Sequence, residues 1–212
     1  MLTRRFWLPV AILLVLAGCQ DAAAPVMEPG ITGDLVAAPT HAGLHILQQA
    51  STAPPLETYQ VSFWARKDRA STVIVNYQPA AGESVGQPFL RFDVRKDGLK
   101  TGGAGAHLHH RDSVLITLTI DPVDFSVDFE PSGVRFSGKR PATLAVWYGN
   151  ANPDLNGDGV VDAADQALVE LLAIWGRPAK PAPWMKTVSK TLTGQQWVVG
   201  AIRHFSEYAV SW

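Results

Sequence analysis

From Asp154 to Asp165 the chain reads Asp-Leu-Asn-Gly-Asp-Gly-Val-Val-Asp-Ala-Ala-Asp, with oxygen-bearing side chains at places one, three, five, nine and twelve and glycine at place six. A hard cation of calcium's size takes about six to eight oxygen donors. This spacing predicts that Asp154, Asn156, Asp158, Asp162 and Asp165 wrap round one point, with the carbonyl of Val160 as a further donor. Gly159 takes the sharp turn that the wrapping needs. Four carboxylates brought together repel one another unless a cation sits between them, so the expectation is a calcium site. The alternative for the same residues is a solvated Asp/Asn/Gly turn with no ion. A calcium ion bound only by the folded form would stabilise it, as a structural cation instead of a sensor. Val161, the apolar residue in the loop's second half, is expected to face the core and pin the loop to the domain.

The loop is similar to an EF-hand but ends in Asp165 where that motif has glutamate. In this it resembles the calcium repeat of dockerins, with one copy in place of two. That resemblance implies an adaptor engaging a cohesin-like receptor as a second reading of the function. The segment after the loop reads two ways. Residues 164–170 look helical, whereas Leu171, Leu172, Ala173, Ile174 and Trp175 fit a strand as well as a helix turn, because periodicity does not separate the two over so few residues.

Two other groups of residues invite chemistry. His107 and His109, with His110 and Asp112 nearby, fall in a glycine-rich segment where alternate histidines share a strand face and offer two ligands to zinc. The set has no further ligand at a recognisable spacing and reads first as a polar hairpin. Cys19 is the only cysteine of the 212 residues. It follows Arg4, Arg5, an apolar run from Phe6 to Leu16 and the small pair Ala17 and Gly18, which is the pattern of a signal peptide too short to span a bilayer. Leu16-Ala17-Gly18-Cys19 resembles the bacterial lipobox. The resemblance implies cleavage before Cys19 and attachment of several acyl chains, enough to hold a soluble domain to a membrane. Gln20, where an inner-membrane retention signal has aspartate, favours the outer membrane of the cell envelope.

Along the chain, residues 1–18 are read as the lipoprotein signal peptide and residues 19–56 as a disordered tether rich in Ala, Pro and Gly. Only Leu44, Ile46 and Leu47 in that tether offer an apolar patch able to dock. Residues 57–212 are read as one domain, with the calcium loop and a short helix inserted at 152–170. Short runs of β-branched and aromatic residues broken by Gly, Pro, Asp and Asn recur through that domain. In residues 113–120, Val114, Ile116, Leu118 and Ile120 alternate with more polar neighbours. The predicted fold class is all-β, an antiparallel β-sandwich, and most of its tryptophans, Trp64, Trp147, Trp175, Trp184 and Trp197 among them, are assigned to interior or rim.

Residues 129–136, Phe-Glu-Pro-Ser-Gly-Val-Arg-Phe, with residues 141–148, Pro-Ala-Thr-Leu-Ala-Val-Trp-Tyr, resemble the central strands of ZU5-type β-sandwich domains. Residues 204–210, His-Phe-Ser-Glu-Tyr-Ala-Val, resemble their last strands. In some ZU5-related domains the His-Phe-Ser tripeptide is a self-cleavage site. The likeness implies that Ser206 Oγ attacks the Phe205 carbonyl while His204 takes the hydroxyl proton, and that the resulting ester is hydrolysed. Related domains also use the tripeptide only to close a sheet.

The whole chain carries 18 Lys and Arg against 19 Asp and Glu. Loss of Arg4 and Arg5 with the signal peptide makes the remainder slightly more acidic. No basic run tracks a phosphate backbone, so nucleic acid is not the expected partner. The chain has no nucleophile elbow, phosphate loop, dinucleotide fingerprint or paired-histidine zinc motif, and catalysis on an external substrate is not expected. The reading is an exported, lipid-anchored, calcium-binding module that meets the membrane through Cys19 and engages a protein or envelope polymer.

Overall fold

The computed structural model describes residues 35–36, 44–179 and 181–212; the expected signal peptide, the expected lipidation site Cys19 and most of the expected tether lie outside the described residues. Within the unit from Gly33 to Trp212, the alternation noted for residues 113–120 becomes strand β6 (Ser113–Asp121). Val114, Ile116, Leu118 and Ile120 are all buried, while Ser113, Leu115 and Thr119 face out. A strand with one apolar face must cover that face with a second layer. The chain does so with two antiparallel sheets.

The first sheet contains β1 (Leu35–Val36), β11 (Met185–Thr187), β10 (Ala173–Arg177), β14 (Glu207–Ser211), β7 (Ser126–Glu130), β6 and β2 (Gln60–Arg66), in that order. The second contains β12 (Ser189–Leu192), β13 (Trp197–Ile202), β9 (Ala142–Trp147), β4 (Pro88–Val94) and β3 (Ser71–Asn76). A small pair, β5 (Leu99–Thr101) and β8 (Arg135–Phe136), closes one end. The predicted all-β sandwich is the observed architecture.

Aromatic side chains join the two layers. Phe92 on β4 is fully buried, with its ring centroid 4.8 Å from Phe129 on β7, 6.2 Å from Phe205 and 6.4 Å from Phe136 on β8. Near the other end Gly200 on β13 faces Ile174 on β10, and a Cβ at residue 200 would lie 2.9 Å from the Ile174 Cδ1. Glycine is needed there because the sheets approach too closely for a side chain.

The expected tether boundary at residue 56 moves back. Leu47 and Leu56 are both buried. The Leu47 amide donates to the Val210 carbonyl at 2.9 Å and the Gln49 amide to Val123 at 3.1 Å. The low-complexity composition of residues 44–56 conceals two well-spaced leucines that enter the core, and their burial offsets the ordering of the run between them.

The tryptophans divide. Trp175 is buried and Trp147 and Trp197 pair across β9 and β13. Trp184 lies under Arg177, 4.3 Å from ring to guanidinium. Trp64, by contrast, is 64 % exposed on the outer face of β2.

Candidate functional site

Residues 148–172 connect β9 to β10 at one end of the sandwich and contain the one α-helix among the described residues, α1 (Ala163–Val169). Asp162 is its N-cap, accepting from the Ala164 amide at 2.7 Å, and Asp165 in the first turn accepts from the Asp162 amide at 2.9 Å. This reciprocal capping satisfies amides that a helix start leaves free. Asp165 does more than cap. Its other oxygen accepts from the amides of Leu155 at 2.8 Å and Asn156 at 3.1 Å, so one carboxylate ties the start of the loop to the start of the helix.

The other predicted ligands curl the loop on itself. Asp154 accepts from the amides of Gly157 at 2.8 Å and Gly159 at 2.9 Å, one on each oxygen. Asn156 accepts from the Asp158 amide at 2.9 Å, and Asp158 from the Val160 amide at 2.8 Å. Gly157 and Gly159 have φ of +74° and +85°, the left-handed region that L side chains resist, so the expected sharp turn at Gly159 is present. The donor set is oxygen only, as a hard cation requires. Among the described residues, however, no three His, Cys, Asp or Glu side chains converge, because the carboxylates point to backbone amides.

Asp165 is 3 % exposed, and its carboxyl is held below the usual carboxylate range by the Asp162 amide above all, with Asn156 and Leu155 adding to the effect against the cost of desolvation. A carboxyl whose pKa is lowered on folding contributes stability above its unfolded value of about 4 and loses it as pH falls through the lower folded value. Asp165→Asn should therefore lower the Tm at neutral pH and weaken its fall as the pH drops below about 4, read by thermal melts through the acid range. An unchanged acid limb would show that Asp165 does not hold the loop.

Val161 does not pin the loop. It is 62 % exposed and lies at the mouth of an open cavity of about 220 Å³ between α1 and the sandwich. Leu155, at the loop's second place, packs partly buried against the core instead, as does Val169 at the end of α1. The capping bonds to Asp165 turn the first half of the loop inward and leave residues 160 and 161 outside. The segment after α1 resolves as a strand from Ala173, because residues 173–177 pair with β14 in register from Ala173 with Ser211 to Arg177 with Glu207.

At the opposite end, Ser206 Oγ lies 3.4 Å from His204 Nδ1, and the same nitrogen lies 3.5 Å from the Phe205 carbonyl oxygen. The nitrogen thus sits between hydroxyl and carbonyl, at the outer limit of hydrogen bonding to each. Phe205 is a core residue, stacked on Phe129 at 5.2 Å, and its amide donates to the Val134 carbonyl at 3.0 Å. Tyr208 donates its hydroxyl to the His204 carbonyl at 2.7 Å. The tripeptide closes the sheet and plugs the core in one stretch.

The histidine segment makes no trio. His107 and His109 lie with ring centroids 5.3 Å apart, and Asp112 accepts from the His109 amide at 2.7 Å instead of joining them.

No family model, curated protein or solved structure matches the chain.

Proposed function

We propose that the chain is an exported lipoprotein, anchored through Cys19 at the cell envelope, whose ZU5-like β-sandwich binds one calcium ion in the loop from Asp154 to Asp165 and serves as a structural or interaction module. The observation that carries the reading is the oxygen-only donor set spaced round a loop with two left-handed glycines. A second observation supports it. Among the described residues no ion pair involves Asp154, Asp158, Asp162 or Asp165, so the loop's carboxylates meet no basic side chain of those residues. Asp154, Asn156, Asp158, Asp162, Asp165 and the Val160 carbonyl would hold the ion, and the bound cation would supply neutralising charge.

Calorimetric titration of chelator-treated protein tests the site. Calcium is expected to give a saturable heat with a stoichiometry near one, and magnesium a weaker response, because magnesium gives up its waters reluctantly. No heat with calcium would overturn the calcium reading. Mass spectrometry of the N-terminal peptide tests the anchor separately, with acylated Cys19 as the expected form.

A self-processing domain is the second reading, favoured by the placement of His204 Nδ1 between the Ser206 hydroxyl and the Phe205 carbonyl. It requires that denatured protein lack residues 206–212, and a full-length mass would remove it.

A further inference from the structure

Antiparallel strands send alternate connections to opposite ends of a sandwich, and here the two ends carry opposite charge. Four of the segments that meet at one end are residues 67–70, 95–112, 131–141 and 203–206; the connection from β10 to β11 turns there too, beside Glu130 and Glu207. The four hold ten lysines and arginines against three aspartates, with four histidines besides. At the other end lie residues 44–59, 77–87, 122–125, 148–172 and 193–196, with eight acids and no lysine or arginine.

The basic end is one continuous surface. The Asp97 amide donates to the Lys67 carbonyl at 2.7 Å, the Lys67 amide to Asp112 at 3.0 Å, the Ser137 amide to Gly98 at 2.7 Å and the Phe136 amide to Arg203 at 2.7 Å. Asp97 also accepts from Arg140 at 3.1 Å. These bonds hold the four segments side by side. Arg69, Arg95, Lys96, Lys100, Arg111 and Lys139 stand exposed on them. Lys67, Lys100, His107 and Ser137 line an open hollow among them, together with Asp97, whose carboxylate is taken up by Arg140.

We propose that this end binds an acidic polysaccharide. Fixed cations on a preformed frame match a polymer bearing repeated carboxylate or sulfate groups, and arginine forks pair with such groups. None of the large exposed hydrophobic side chains falls in the four segments, so these segments offer no wedge for a bilayer. The choice of polysaccharide over nucleic acid rests on the reading of the chain as exported, since that places an envelope polymer within reach.

The test uses the full chain in a non-ionic detergent, with dextran sulfate, neutral dextran and a DNA duplex as probes. Dextran sulfate should bind, and its affinity should fall steeply with salt, as counterion release requires. Lys100→Glu with Lys139→Glu should weaken it at least tenfold. Lys186→Glu with Lys190→Glu, two exposed lysines away from this end, makes the same change in net charge and should leave affinity within twofold. The proposal is overturned by equal losses in the two double variants, by comparable binding of neutral dextran, or by tighter binding of the duplex. The Cys19 mass is read on the same sample. Dextran sulfate binding without acylation supports the surface and removes only the anchor, and acylation without binding removes only the surface.

Discussion

Phe92→Ala is expected to lower stability by about 3–5 kcal/mol, the cost of deleting a buried ring from a close-packed core. Phe92 comes from the second sheet and meets Phe129 from the first, along with Phe136 from β8 and Phe205 from the segment before β14. Its loss would open a cavity lined by aromatic rings held on separate strands, which cannot close without moving the sheets. For a domain of this size the Tm should fall by roughly 10 °C, and Phe92→Leu, which keeps most of the volume, by much less. Urea and thermal unfolding followed by circular dichroism read both. A loss below about 1 kcal/mol for Phe92→Ala would mean that the aromatic cluster does not join the layers.

The second large effect is that of calcium. A ligand that binds only the folded chain adds about 2.7 kcal/mol at a concentration one hundred times its dissociation constant. Saturating calcium should therefore raise the Tm of chelator-treated protein by roughly 5–10 °C. Asp154→Ala combined with Asp158→Ala should abolish the rise. Sodium at matched ionic strength serves as control, since salt alone screens the repulsion among the acids of that end. A rise that sodium reproduces, or that survives in the double variant, would place the effect outside the loop.

Much of the fold was legible in the residue pattern alone. Val114, Ile116, Leu118 and Ile120 lie on a strand close to the one expected over 113–120, since alternation reports burial directly. The segment after α1 was not legible, because Leu171 to Trp175 is apolar throughout. Its answer came from partners more than thirty residues away on β14. Residues 44–56 read as tether with a patch at Leu44 to Leu47 able to dock, because composition averages over Leu47 and Leu56, whose weight lies in where they are buried. The loop divides in the same way. The spacing of its acids and glycines was visible, but the burial of Asp165 and the exposure of Val161 depend on how α1 lies against the sandwich.

Local order along the chain thus determined where alternation makes a strand and where oxygen donors recur, since both depend on neighbours two to twelve places apart. The gathering of cations at one end and acids at the other was decided only by tertiary structure. No run of the sequence is strongly basic, and the charges of four separated segments add up only once antiparallel pairing has brought their turns to the same side.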